Sequence, residues 1–184
     1  MPAFERLGLE TPGQDLDALR ELVRRVHDRD LPDVPAHVVE VGSWAGRTAL
    51  AMANTGLCRV WCVDTWQGSP GDVTRPIVES VGHEEVFRTF LRNVGPLAFN
   101  RIVPCPGPSL FWASVWPFPV DLVFLDADHD YEAVEADIAA WAPHVRPGGI
   151  LCGHDYGGFE GVTRAVDEFG KDGVLGLGVW WKQR

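Results

Sequence analysis

Short apolar runs rich in β-branched residues alternate along this 184-residue chain with segments of helical periodicity. Strands are predicted at 37–42, 59–64, 101–104, 120–126 and 149–153. Helices are predicted at 15–28, 46–55, 84–94, 109–115, 131–142 and 161–169. This alternation predicts an α/β fold, a doubly wound and mostly parallel sheet with helices on both faces. The tail, VLGLGVWWKQR, predicts a closing C-terminal antiparallel hairpin.

Length and composition limit the classes of function. The chain suits one domain over 1–184, with an N-terminal helical segment at 1–35 and a core at 36–184. A net charge of −10 argues against nucleic acid and anionic membranes as partners. No apolar run approaches the roughly 20 residues of a membrane span, and the N-terminus lacks a secretory pattern. The four cysteines lack CxxC spacing and are predicted to be reduced core residues of a cytoplasmic protein. Homo-oligomerisation stays open.

Polar residues at strand ends are the candidates for function, because open α/β sheets bind ligands at the carboxyl ends of their strands. These candidates are residues 40–46, Asp64, Ser109, residues 126–129 and residues 154–155.

The turn in VVEVGSWAGRTAL, residues 38–50, has two glycines around a tryptophan. Trp44 occupies the place where a dinucleotide-binding turn has a glycine, and its bulk argues against a pyrophosphate. A carboxylate at the start of the next helix is expected instead, with Thr48 as a donor. Asp64 closes the second strand and can accept hydrogen bonds from both ribose hydroxyls. Together these residues predict a nucleoside that carries an amino-acid tail.

Five segments in order carry a family resemblance: VVEVGSWAGRTA, CVDTW, VDLVFLDADHDYEAVEADIAAW, RPGGILCGHDY and GVTRAVDEF. Over roughly residues 36–182 they resemble the class I S-adenosylmethionine-dependent methyltransferases. The likeness is greatest to the small-molecule O-methyltransferases that include the macrocin-type sugar methyltransferases. It implies a Rossmann-like fold, S-adenosylmethionine as cofactor and a small hydroxylated molecule as acceptor.

The resemblance also implies a cofactor site. The methionine part would be held by Glu40, Gly42, Ser43, Gly46 and Thr48. Asp64 would bind the ribose, Thr65 and Trp66 would lie beside the adenine, and Ser109 would lie at the adenine edge. The other interpretation gives the glycines a turn role and Trp66 a core role.

Asp126, His154 and Asp155 are predicted to meet at the ends of strands four and five, where they could hold Mg²⁺ or a similar divalent cation. The metal-dependent relatives have an acidic or amide residue where this chain has His154. A cation there would acidify the acceptor hydroxyl, so Asp126 is also assigned to catalysis. The resemblance implies that His129 is the general base. Asp128 is interpreted as the N-cap of the 131–142 helix.

Other interpretations remain at this stage. His129 could merely cap or pack, and His154 and Asp155 could orient the following loop. Residues 66–85 are predicted to be a long loop, either a lid or a surface segment. The leading function is a metal-assisted O-methyltransferase. The alternatives are a non-catalytic methyltransferase-like binding or interaction module, and a nucleotide-dependent oxidoreductase.

Overall fold

The computed structural model describes residues 11–27, 33–70 and 74–184. Its strands are β1 (Ala36–Val41), β2 (Cys58–Asp64), β3 (Ile102–Pro106), β4 (Val120–Leu125), β5 (Val145–Gly153), β6 (Gly173–Leu175) and β7 (Val179–Gln183). Its α-helices are α1 (Gly13–Val26), α2 (Arg47–Ala53), α3 (Thr74–Val81), α4 (His83–Val94), α5 (Ser109–Val115), α6 (Tyr131–Trp141) and α7 (Glu160–Phe169). Short 3₁₀ turns follow α4 and α6, at Gly95–Leu97 and Ala142–His144.

The strands form one seven-stranded sheet in the order β3-β2-β1-β4-β5-β7-β6. Strands β1 to β5 pair in parallel, and β7 runs antiparallel to both β5 and β6. The predicted doubly wound sheet and its C-terminal hairpin are therefore confirmed. The strand order reverses between β1 and β4, and the connections that leave these two strands diverge to opposite faces, which opens a crevice above their carboxyl ends.

Helices cover both faces of the sheet, as the nearly unbroken apolar strands require. On one face α1, α2 and α4 pack through residues such as Leu22, Met52 and Phe90. On the other face α6 and α7 contribute Ile138, Trp141 and Val166. All four cysteines are buried and none is in a disulfide, which confirms the prediction that they are core residues.

Two boundary predictions are wrong. Residues 66–85 are not one loop, because α3 occupies Thr74–Val81 and α4 begins at His83, while residues 71–73 lie outside the described part. The proline in α3 lies within the first turn, where its missing N–H costs nothing. Strand β5 begins at Val145 instead of 149, and Gly148 and Gly149 lie at an irregularity in its pairing with β4.

The predicted N-terminal helix is confirmed as α1, although its predicted last residue, 28, lies outside the described residues. Residues 1–10 and 28–32 of the predicted N-terminal segment lie outside them as well. Within the described part of the chain, no helix is both long and apolar enough to cross a membrane.

Candidate active site

The turn between β1 and α2 depends on glycine for packing. Gly42 has φ +89°, and a Cβ there would lie 2.1 Å from the carbonyl oxygen of Asp126. Gly46 has φ +83°, and its Cβ would lie 2.9 Å from a Val94 methyl carbon. Both glycines therefore let the turn approach the end of β4 and the helix α4. Packing alone therefore explains why both positions are glycine.

Glu40 lies beneath this turn and is fully buried. The Cys62 thiol donates to Oε2 at 3.5 Å, while Oε1 has no hydrogen-bond partner among the described residues. Burial raises the pKa of Glu40 to about 7, partly opposed by the nearby Ser43 and Thr48 hydroxyls. The buried Ser43 Oγ also lacks a hydrogen-bond partner within the described chain. Glu40 Oε1 and Ser43 Oγ are therefore buried polar atoms that could still form hydrogen bonds.

Asp64 ties two loops together at the end of β2. Its Oδ2 accepts the Trp44 N–H at 2.7 Å, and its Oδ1 accepts the Trp66 N–H at 2.6 Å. Burial raises the pKa of Asp64, and these backbone donors partly offset that rise. Both tryptophans have positive φ, 43° and 53°, so the carboxylate stabilises two uncommon backbone conformations. A ribose would have to share the remaining lone pairs of these oxygens.

Trp66 lies in the core. It is 2% exposed and packs on Phe87 and Phe90 of α4, with ring centroids 4.5 and 5.0 Å away. Its indole N–H donates to the Trp44 carbonyl at 2.8 Å. Thr65, in contrast, is exposed beside it. The structure thus favours the core role of Trp66, and the adenine contacts of Thr65 and Trp66 stay predictions.

Ser109 is held by α6. Its hydroxyl donates to Asp137 Oδ1 at 2.5 Å and accepts the Trp141 indole N–H at 2.9 Å. Burial raises the pKa of Asp137 to about 6, although Ser109 acts against this. Sequence reasoning missed Asp137, a carboxylate on the buried face of α6. The adenine-edge contact of Ser109 stays a prediction.

A cavity of about 680 Å³ opens at the carboxyl ends of the central strands. The predicted site residues in its wall are Gly42, Ser43, Thr48, Asp126, His129, His154 and Asp155. The wall also includes residues that sequence reasoning did not select, among them Arg47, Phe159 and Glu160. Glu40, Gly46, Asp64, Thr65, Trp66 and Ser109 are not among its described wall residues.

Carboxylates and imidazoles alternate along one wall of this cavity. His129 Nε2 lies 3.0 Å from Asp155 Oδ2, and His154 Nδ1 lies 3.1 Å from Asp155 Oδ1. Asp126 Oδ1 is 3.7 Å from the same His154 nitrogen. The predicted meeting of Asp126, His154 and Asp155 is therefore confirmed.

The charges of this wall are interdependent. Burial opposes the charged form of His154, but the neighbouring carboxylates outweigh it and raise the pKa of His154 to about 9. Burial raises the pKa of Asp126 to about 8, in spite of the nearby His154. Burial also acts to raise the pKa of Asp155, but the hydrogen bonds of His129 and His154 hold it well below its usual range. Asp155 is thus the ionised carboxylate of the group at neutral pH.

His129 is positioned from two sides. Its ring stacks on Phe159, with centroids 4.1 Å apart and planes at 12°, while Asp155 contacts Nε2. The interpretation of Asp128 as N-cap of α6 is wrong, because Asp130 occupies the N-cap position. Asp128 Oδ1 instead accepts the backbone N–H groups of His129 and Asp130, at 2.8 and 3.0 Å, and so shapes the turn that presents His129.

The donor atoms of Asp126, His154 and Asp155 lie within 4.8 Å of one another, which fits the requirements of a divalent cation. Carboxylate oxygens suit Mg²⁺, whereas an imidazole nitrogen is more typical of a transition metal. His154 Nε2 lies 3.1 Å from Asp15 Oδ2 of α1, so Nδ1 is the nitrogen that faces the two acidic residues. The donor set therefore fits a cation, with Asp126 and Asp155 as its oxygen ligands.

Comparisons with known proteins identify the family and the fold. A family model described as "Methyltransferase domain" matches residues 39–156. No curated protein matches the chain by sequence.

Three solved structures illustrate the likeness in fold. The O-methyltransferase NovP is 24% identical, with a TM-score of 0.64 over 93% of this chain and 79% of NovP. The calicheamicin methyltransferase CalS11 is 18% identical, with a TM-score of 0.64 over 92% of this chain and 78% of CalS11. An O-methyltransferase from Bacillus cereus, solved in complex with SAH, is 18% identical, with a TM-score of 0.61 over 91% and 72% of the two chains.

Proposed function

This chain belongs to the methyltransferase family and is an S-adenosylmethionine-dependent methyltransferase, and from that premise we propose that it methylates a hydroxyl group of a small molecule. The observation that carries the proposal is the single cavity that joins the β1–α2 turn to His129. The turn would hold the methyl donor, and the opposite wall would receive the acceptor.

The turn has the chemistry to receive the cofactor. Ser43 lines the cavity from the turn and Thr48 lines it from the start of α2. The buried Ser43 hydroxyl has no hydrogen-bond partner in the described structure. When bound, S-adenosylmethionine supplies an electrophilic methyl group on its sulfonium. The residues of this protein then have to hold the acceptor oxygen in line with the methyl group and remove the proton of the hydroxyl.

His129 is the proposed general base. Asp155 Oδ2 lies 3.0 Å from Nε2, and as an ionised carboxylate it would accept the Nε2–H and leave the basic lone pair of the neutral ring on Nδ1. Phe159 covers one face of the ring and fixes its plane. The acceptor hydroxyl would give its proton to this imidazole as the methyl group transfers, a contribution of about 10²–10⁴-fold in rate.

Metal assistance is part of the proposal. Asp126 and Asp155 would hold a divalent cation, with His154 Nδ1 as a further donor. Such an ion would lower the pKa of the acceptor hydroxyl and fix its oxygen.

Calorimetric titration tests the proposed cofactor. S-adenosylmethionine and S-adenosylhomocysteine should bind, and NAD should not. Ser43→Ala should weaken binding of S-adenosylhomocysteine about 2–10-fold, the contribution of one neutral hydrogen bond. Ser114→Ala is the matched control, since Ser114 is exposed and its hydroxyl donates to the Phe111 carbonyl within the same helix.

The alternatives predict other results. Binding of NAD without either sulfur compound would favour the oxidoreductase. Binding of none of the three would favour an interaction module, and the methyltransferase proposal would then be abandoned.

The catalytic step has its own test. His129→Asn should leave the affinity for S-adenosylhomocysteine nearly unchanged and lower turnover about 10²–10⁴-fold. Wild-type turnover in this variant would refute the base, and the proton would then leave to solvent.

A further inference from the structure

A buried carboxylate from the N-terminal helix reaches the active-site wall. Asp15, in the first turn of α1, is 1% exposed. Its Oδ2 lies 3.1 Å from His154 Nε2, and its Oδ1 accepts the Leu177 backbone N–H at 2.6 Å. These contacts join three parts of the chain that are far apart in sequence, namely α1, the end of β5 and the β6–β7 turn.

The β6–β7 turn is shaped around this carboxylate. Gly176 has φ +61°, and a Cβ there would lie 2.1 Å from Asp15 Oδ1. The same turn also supports the cavity wall, because the Tyr156 N–H donates to the Gly178 carbonyl at 3.2 Å. The preceding residue, Asp155, has the uncommon φ of +63°. The hairpin therefore positions Asp15 and the Asp155 backbone together.

From Asp15 a line of contacts runs to the proposed base. His154 uses Nε2 toward Asp15 and Nδ1 toward Asp155 Oδ1, so both edges of its ring are engaged. The other oxygen of Asp155 contacts His129 Nε2 at 3.0 Å. The imidazole of His154 is only 15% exposed, which leaves it little room for another orientation. The orientation of each side chain in the series Asp15, His154, Asp155 and His129 therefore depends on the one before it.

We propose that Asp15 is a positioning residue for His129, and that it acts through His154 and Asp155. This inference rests on the proposed function only in that His129 is taken as the base. Without a bound cation, the Asp15 carboxylate holds the Nε2–H of His154, which directs Nδ1 toward Asp155. Asp155 is then held where its second oxygen takes the Nε2–H of His129. A change at Asp15 should therefore be detected at His129, two groups away.

The test is Asp15→Asn, with Asp17→Asn on the same helix as the matched control. The Leu177 N–H and His154 Nε2 contact different oxygens of Asp15, and asparagine replaces one of these oxygens with an NH₂ donor, so one of the two contacts is lost. Asp17 is 77% exposed and pairs only with Arg20 among the described residues. ¹H–¹⁵N spectra of the imidazole rings, in chelator, report the protonated nitrogen of each histidine, and His129→Asn and His154→Gln assign the signals.

In Asp15→Asn we expect loss of the hydrogen-bonded Nε2–H signal of His154 together with shifted ring signals of His129. The dissociation constant of S-adenosylhomocysteine should change less than about threefold, since Asp15 is not in the cavity wall. Asp17→Asn should change neither the histidine ring signals nor the dissociation constant of S-adenosylhomocysteine. Because the ring spectra need no cofactor, they test Asp15 even if the wild-type protein binds no S-adenosylhomocysteine, a result that would contradict only the proposed function.

Gly176→Ala provides a second perturbation that keeps the charge of Asp15 and displaces its carboxylate. It should shift the same histidine signals, which keeps the proposal testable if Asp15→Asn fails to fold. Unchanged His129 signals in a folded variant of either kind would refute the positioning role, even where the melting temperature falls.

Discussion

Replacing Glu40 by glutamine should make the ligand-free protein more stable above neutral pH. The side chain is fully buried, and burial raises the pKa of Glu40 from an ordinary 4.5 to about 7. Each pKa unit corresponds to about 1.36 kcal/mol, so the difference of about 2.5 units costs the folded state about 3 kcal/mol once Glu40 is ionised. Glutamine keeps the shape and carries no charge.

The raised pKa of Glu40 determines how the free energy of unfolding changes with pH. Between pH 4.5 and about 7 the folded protein keeps a proton on Glu40 that the unfolded chain has released. The free energy of unfolding therefore falls as pH rises through this window, and the loss is complete above it. Glu40→Gln removes this contribution, so its advantage over wild type should grow with pH to at most about 3 kcal/mol near pH 8.

Urea denaturation at pH 5 and pH 8 measures the effect. The other titrating groups are common to both proteins and cancel in the difference between them, except the carboxyl groups of Asp64 and Asp126, which interact with Glu40. Glu84→Gln is the control, since Glu84 is 72% exposed and should show no such difference. A Glu40→Gln advantage that is the same at both pH values, or absent at pH 8, would show that the ionised carboxylate is not costly to the fold.

Three further predictions follow from the site. Gly42→Ala should destabilise the protein by about 2–4 kcal/mol, because its Cβ would clash with the Asp126 carbonyl at positive φ; Gly13→Ala, with nothing within 4 Å, should be neutral in the same thermal melts. Trp66→Phe should cost about 1–3 kcal/mol, since it leaves the Trp44 carbonyl without its indole donor; unchanged S-adenosylhomocysteine affinity in that variant would count against its predicted adenine contact. Turnover should fall on exhaustive chelation and recover with added Mg²⁺ or Mn²⁺, and Asp126→Asn should lose this response while it still binds S-adenosylhomocysteine; full activity in chelator would remove the metal from the mechanism.

Part of the active site was predictable because it follows from strand order. The ends of parallel strands meet at one edge of a sheet, so the polar residues after β1, β4 and β5 had to converge there. The cavity wall accordingly contains Gly42, Asp126 and Asp155. The roles of Asp64, Trp66 and Ser109 were less accessible, because a residue at a strand end can point toward the ligand or toward neighbouring backbone and core. The contacts described above occupy all three with protein groups, and their cofactor roles stay predictions.

A weak signal for Asp15 did exist. It precedes Leu19 and Leu22 by four and seven residues, on the apolar face of a helix, where a buried carboxylate requires partners. The sequence could not identify those partners, because His154 lies 139 residues away.

The sequence alone determined the alternation of strands and helices, the turn after β1 and the family, because these depend on periodicity and spacing within short segments. Only the tertiary structure decided which side chains share hydrogen bonds across the sheet. It brought Asp15 to His154, buried Glu40 without a partner for Oε1 in the described chain, and turned Trp66 into the core. The physical reason is that the partner of a buried polar group is chosen by packing between distant elements, and local sequence patterns do not record that choice.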